Sequence, residues 1–194
     1  MNLRIEKLCK AFDGKSVLTN VTHTFEEGRI TCILGPSGIG KTTLLRVLMG
    51  LTAPDSGSVS GLDGRCCAAV FQEDRLLLHL SALENVRIAL KRGFPREEIL
   101  AALEAVGLGE SARKPVRTLS GGMQRRVAIV RALLPDSDVL LMDEPFRGLD
   151  AATRAQVIRW MLPKLAGRTV IVVTHSPEEA ALFCADFWTL EKND

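Results

Sequence analysis

Apolar and polar residues follow three successive rhythms along this chain. Residues 3–9 (LRIEKLC) and 17–25 (VLTNVTHTF) alternate, and residues 12–16 (FDGKS) between them are turn formers, which predicts two short strands joined by a turn. Residues 29–35 (RITCILG) read as a third strand, and residues 40–49 have helical spacing. Residues 50–64 are turn-rich and predict one short strand at most, and residues 66–72 (CCAAVFQ) read as another strand. Then the period lengthens. SALENVRIAL (81–90), REEILAALEAVGL (96–108) and SGGMQRRVAIVRALL (120–134) all have helical spacing, the last with Ser120 as a natural N-cap and Pro135 just past its end.

After residue 135 strands and helices alternate. DVLLMDEP (138–145) and RTVIVVTHS (168–176) read as strands, AATRAQVIRWMLPKL (151–165) and PEEAALFC (177–184) as helices, and DFWTLE (186–191) as a last strand. Near-continuous apolar strands between helices imply an α/β fold whose parallel sheet is covered on both faces. The expected organisation is one domain, with a core from residues 1–75 and 135–194 and a helical insertion at 76–134. No internal repeat, low-complexity tract or flexible tail is visible.

Composition narrows the function classes. The 194 residues are 46% hydrophobic and 25% charged with a net charge of +2, which suits a globular domain and gives no sign of a general polyanion-binding surface. No apolar run approaches the roughly 18 residues that span a bilayer, and MNLRIEKLCK lacks the apolar stretch of a signal peptide. A cytoplasmic location is expected, with any work at a membrane done by docking. Cys9, Cys32, Cys66, Cys67 and Cys184 are odd in number and contain no CxxC pair, and His23, His79 and His175 are too scattered to complete a zinc site. All five cysteines are expected as small core residues.

The chemistry begins at residues 35–43, GPSGIGKTT, which fit G-x-x-x-x-G-K-[ST], the P-loop. Its glycines let backbone N–H groups turn toward phosphate oxygens, and the helix that follows adds partial positive charge. Lys41 can reach the β- and γ-phosphates, the Thr42 hydroxyl can ligand Mg²⁺, and Thr43 can donate to the α-phosphate. A chance match arises on the order of once per hundred chains of this length, and the strand before and helix after lower that further. In a parallel sheet the strand C-termini face the ligand crevice. There Asp143 is suited to hold Mg²⁺, and Glu144 to act as general base toward water. His175 and Gln72 end two other strands. From local residues alone, His175 reads equally well as a surface histidine, and Gln72 better as a plain strand end. LSGGMQRR, where Ser120, Gly121 and Gly122 open a helix, is a second anion-binding helix start. It is either a plain cap or a grip that serves a second ligand or another copy of the chain.

GPSGIGKTT, FQEDR, LSGGMQRR, VLLMDEP, GLD and VTHS occur in the order and approximate spacing of the ATP-binding cassette (ABC) ATPases, and the resemblance covers nearly the whole chain. It implies a P-loop NTPase fold with a mainly parallel central sheet, an N-terminal antiparallel β subdomain and a helical signature subdomain. It also implies a head-to-tail pair of cassettes, in which the signature of one closes over ATP on the P-loop of the other. By match, Gly35, Ser37, Gly38, Gly40, Lys41, Thr42 and Thr43 resemble the phosphate loop, and Gln72 the Q-loop glutamine. Ser120, Gly121 and Gly122 resemble the signature, and Asp143 and Glu144 the metal-site acid and catalytic base. Asp150 resembles the D-loop aspartate and His175 the switch histidine. Thr42, Gln72 and Asp143 would be the Mg²⁺ ligands. The family stacks adenine on an aromatic from an early strand. This chain has no Tyr, and Phe12 lies in the right region, with ordinary strand-turn packing as the competing reading.

Three departures stand out: Arg147 and Gly148 in the D-loop, where small residues are common; Ile39, bulky for a P-loop; and no C-terminal regulatory domain expected after the last strand. The resemblance implies an ATPase subunit on the cytoplasmic face of a membrane. Its partners would be a second cassette (identical or related), permease subunits and, for an importer, an extracytoplasmic binding protein. Residues 72–86 would carry the coupling surface, with the segment Leu76 to Leu80 as a groove or its leucines as packing inside the helical block. FQEDRLLLHLSALENV and DEPFRGLD are similar to importer ATPases of the nitrate, sulfonate and taurine type. The rival is a soluble ABC-type ATPase acting on nucleic acid or protein assemblies. It usually carries coiled coils, tandem cassettes or basic extensions, none visible here, so no direct nucleic-acid contact is expected. Glu144 argues against a non-catalytic clamp. The cargo is not legible.

Overall fold

The alternating segments at the start of the chain form β1 (Leu3–Phe12) and β2 (Lys15–Phe25), an antiparallel hairpin in register from Leu3↔Phe25 to Phe12↔Lys15. Asp13 and Gly14 turn it with positive φ at both (48° and 76°), the backbone that matches the twist of a two-residue hairpin. The turn-rich stretch contributes β4 (Ser56–Ser60), which pairs antiparallel with β1 and completes a three-stranded sheet, order β2-β1-β4. The computed structural model describes residues 1–183 and 185–191.

A second sheet has five strands in the order β5-β6-β7-β3-β8. They are β3 (Ile30–Leu34), β5 (Cys67–Val70), β6 (Val139–Asp143), β7 (Thr169–Val173) and β8 (Asp186–Thr189). β3 runs parallel to both β7 and β8, and β6 runs parallel to β7. Every residue of β6 and β7 is buried, as unbroken apolar strands in a covered sheet must be. Leu3, Phe25, Ile33, Leu44, Leu48, Leu141 and Ile171 belong to one core, which joins both sheets to α1 (Lys41–Leu48). These elements, with α6 (Pro177–Leu182), make up a unit formed by Met1–Ala69, Asp138–Glu144 and the described part of Gly167–Asp194.

The other unit comprises Val70–Ser137 and Pro145–Ala166 and is helical. It holds α2 (Ala82–Arg87), α3 (Arg96–Ala105), α4 (Gly121–Leu133) and α5 (Ala151–Leu165). Two helices are shorter than their periodicity predicts. Past Arg87 the backbone tightens to i→i+3 bonds, Ala89 N to Val86 O and Leu90 N to Arg87 O. α3 stops because Gly107 takes φ 74° and its N–H returns to Glu104 O at 2.8 Å.

Among the described cysteines, the expectation of burial holds for one position. Cys32 is buried in β3, and desolvation pushes its thiol up to about 12. Cys9 is half-buried. Cys66 and Cys67 are exposed, because they stand at the start of β5, the outermost strand of its sheet. Cys184 lies outside the described residues. No helix among the described residues is long and apolar enough to cross a membrane.

Candidate active site

Between β3 and α1 the chain makes a loop that only glycine permits at three points. Gly35, Gly38 and Gly40 take φ of 146°, 81° and 109°. A methyl group on Gly40 would lie 2.8 Å from both the Val17 carbonyl and the Leu18 side chain of β2, so the loop is pressed against the hairpin. Ile39, the bulky departure, packs on the core beneath and so anchors the loop. α1 begins without a side-chain cap and with no acid in its first turn, leaving its positive end to the loop. Ser37 and Thr42 are exposed and Thr43 is half-buried.

Lys41 is 6% exposed, and its Nζ donates to the carbonyls of Gly35 (2.6 Å) and Pro36 (2.9 Å). Burial pulls its pKa below the ordinary lysine value, and the charges of Glu144 and Asp143 oppose that pull. Asp143 closes β6, buried, in register with Val173 of β7. Glu144 follows with φ 45°, a left-handed backbone costing a non-glycine residue on the order of 1–2 kcal/mol. Its N–H is pinned to Val173 O at 2.8 Å, and the bend turns the chain away from the strand at the acid. Glu144 Oε1 then lies 3.3 Å from Nδ1 of His175. His175 sits in a turn locked on both sides. Thr174 Oγ1 donates to Glu179 Oε2 (2.7 Å) and accepts from Ser176 N (3.1 Å), while Ser176 Oγ accepts from Glu179 N (3.2 Å). One unit thus brings together the P-loop, two acids and a histidine at the ends of β3, β6 and β7. Phe12, at the end of β1 in this unit, is 47% exposed, with Lys10 Nζ 5.4 Å from the ring centre.

A polyphosphate fits this loop. It would meet a glycine-rich backbone, an uncapped helix start and a buried ammonium. Asp143 and the Thr42 hydroxyl are the hard oxygen donors that Mg²⁺ prefers.

The helical unit holds the remaining motif residues. Ser120 Oγ caps α4, accepting from Met123 N at 3.3 Å. A methyl group on Gly121 would meet open space, whereas one on Gly122 would lie 3.3 Å from Gly148 O, so the signature and the D-loop are neighbours. Asp150 caps α5, accepting from Thr153 N (3.0 Å) and Thr153 Oγ1 (2.7 Å), which holds its carboxyl below the usual range. Gln72 and Arg147 are exposed.

Sequence reading passed over two buried polar residues of this unit. Asn85 accepts from Leu77 N (2.8 Å) and donates to Leu77 O and Ser81 O (3.0 Å each), fixing the leucine-rich segment. Arg125 is 3% exposed and binds Asp74 and the carbonyls of Phe71 and Pro145. The clue to Arg125 was in the helical spacing: it shares a face with buried Ala128, Ile129 and Ala132, where a lone charge demands a partner.

The ABC transporter family pattern matches residues 18–147. The aliphatic sulfonates import ATP-binding protein SsuB 1 of Pseudomonas savastanoi pv. phaseolicola is 41% identical over 189 residues, 96% of this chain and 78% of that protein. The taurine import ATP-binding protein TauB of Pseudomonas aeruginosa is 39% identical over 191 residues, 91% of this chain and 72% of that protein. Among solved structures, a dimeric ATP-binding cassette in a post-hydrolysis state with ADP and Pi superposes with a TM-score of 0.86 at 30% identity, covering 97% of this chain and 94% of that one. Fold, motif order and these likenesses agree: the chain belongs to the ABC transporter family, as an ATP-binding subunit that hydrolyses ATP to power transport.

Proposed function

We propose that this subunit drives an importer of the sulfonate and taurine type, working as one of a head-to-tail pair of cassettes on the cytoplasmic face of the membrane. The observation that carries the catalytic reading is the Glu144–His175 contact of 3.3 Å, held by a bent backbone on one side and a locked turn on the other. Lys41 exchanges its loop carbonyls for the β- and γ-phosphates, and the loop amides and the start of α1 stabilise the charge that develops. Glu144 takes the proton of the attacking water, and His175 orients that water and the γ-phosphate. Thr42, Gln72 and Asp143 are the residues that would hold Mg²⁺, which when bound neutralises charge on the phosphate oxygens. Phe12, 47% exposed, is the stacking partner proposed for adenine.

The second cassette supplies Ser120, Gly121 and Gly122. The open space beside Gly121 supports this, because nothing in the chain itself requires a glycine there. The permease docks on the leucine segment. Leu77 and Leu78 are 44% and 53% exposed on a backbone fastened by Val116 N to Leu80 O and Arg117 N to Leu78 O, both 2.9 Å. In the same unit a cleft of about 420 Å³ is lined by Ser81, Leu83, Glu84, Arg87, Arg96 and Arg113. Its arginines suit a cytoplasmic helix carrying acidic residues. Cargo is delivered by an extracytoplasmic binding protein.

The test is Glu144→Gln with ATP and Mg²⁺, followed by light scattering on the isolated subunit and on the complex with its permease. A stable dimer with turnover reduced about 100-fold or more is expected. ATP bound without pairing in either preparation overturns the head-to-tail reading.

A further inference from the structure

Arg125 is a buried charge of the helical unit, and none of the roles assigned above uses it. Its Nε donates to Pro145 O at 2.9 Å, and its Nη1 donates to Asp74 Oδ1 at 2.9 Å and to Phe71 O. A guanidinium so buried is expensive to desolvate. Its bonds reach three separate stretches of chain. Phe71 precedes Gln72, Pro145 follows Glu144, and Arg125 itself lies five residues past Ser120 on α4. Arg131, two turns on, donates to Asp74 O and Arg75 O at 2.7 Å each, so the far side of the same loop is held from the same helix.

We propose that Arg125 is a positioning residue that ties the signature helix to the backbone on which Gln72 and Glu144 are mounted. The planar fork is the reason for arginine here: it satisfies two carbonyls and a carboxylate in fixed directions, which a lysine point charge does not. When α4 shifts, Phe71 and Pro145 follow it, so both catalytic-loop residues register the position of the signature. The inference rests on the proposed roles of Gln72 and Glu144.

The experiment compares ATP turnover, KM and ATP-analogue affinity for the full chain carrying Arg125→Gln, Arg125→Lys, Asp74→Asn and the Arg125→Gln/Asp74→Asn pair. Arg125→Gln should lower kcat about 10-fold with KM and analogue affinity within about 2-fold, because the P-loop is untouched. Arg125→Lys should recover part of the loss. Asp74→Asn should lower kcat about 3-fold, and the double variant should be no worse than Arg125→Gln alone. Asp74 is partly exposed, so Asp74→Asn remains informative if Arg125→Gln does not fold. Folded variants with wild-type kcat overturn the proposal, as do losses in kcat and affinity that merely track a lower melting temperature. Glu144→Gln and Gln72→Ala run beside them. If those two retain turnover, the catalytic reading has failed; if they lose it and Arg125→Gln does not, only the present proposal has.

Discussion

Two helices of this chain open on glycine-rich turns, and they finish their backbone differently. α1 starts from a left-handed Gly40 with no side-chain cap, and a buried lysine lies over the loop before it. α4 starts from Ser120, which caps its own helix through Met123 N. The first start has no side-chain cap and no acid in its first turn, which suits it to an anion. The second has a side-chain cap on Met123 N, and its two glycines differ: Gly122 is crowded by Gly148 of the same unit, whereas Gly121 borders open space. A similar local sequence is thus proposed as a primary grip in one unit and a secondary contact in the other. Steric surroundings tell them apart where composition does not.

The largest effect should come from Lys41→Ala, which removes the one buried cation of the primary grip. Turnover should fall about 100- to 1,000-fold, read by phosphate release, while the corresponding cut in the other unit, Ser120→Ala, should cost less. Next come two matched glycine substitutions. Gly40→Ala meets Val17 and Leu18 at 2.8 Å and should lower stability by about 1–3 kcal/mol in denaturant titration. Gly121→Ala meets open space inside a helix, so stability should hold or rise by about 0.5–1 kcal/mol, while turnover falls about 10-fold through impaired pairing. If Gly121→Ala leaves turnover unchanged, the contrast between the two helix starts collapses.

The smallest effect concerns His23, in the unit that holds the P-loop. Its ring stacks on Trp188 with centroids 4.0 Å apart, and burial keeps its pKa below the ordinary 6.5. Below that pH the unfolded chain binds the proton more readily than the folded one, so stability falls as pH drops through 6.5 and lower. A drop in Tm of about 1–2 °C between pH 7 and pH 5.5 is expected, and it should vanish in His23→Gln. The capping carboxylate of Asp150, held below its ordinary 3.8, acts in the same direction in a more acidic window: its contribution is intact until the pH falls through that range.

Much of this architecture was legible because its causes are local. Alternation set β1 and β2, unbroken apolar runs set β6 and β7, and Ser120 marked the start of α4. The P-loop was legible as well, since three left-handed positions can only be written with glycine. What local pattern does not encode is contact at long range. Arg125 reads as one more charge in MQRR until its helical face is drawn. Asn85 reads as an ordinary helix residue, and nothing around Glu144 announces a left-handed backbone. The exposed Cys66 and Cys67 make the same point, because being at a sheet edge is a property of strand order, not of the strand's residues.

The pressure of Gly40 against Val17 and Leu18 has a practical consequence. The phosphate loop is not a portable cassette of nine residues: its rear wall is the second strand of the hairpin. A chimera that exchanges the loop between relatives should carry that strand along, and selection for faster or slower turnover can be expected to find mutations at residues 17 and 18, far from any motif.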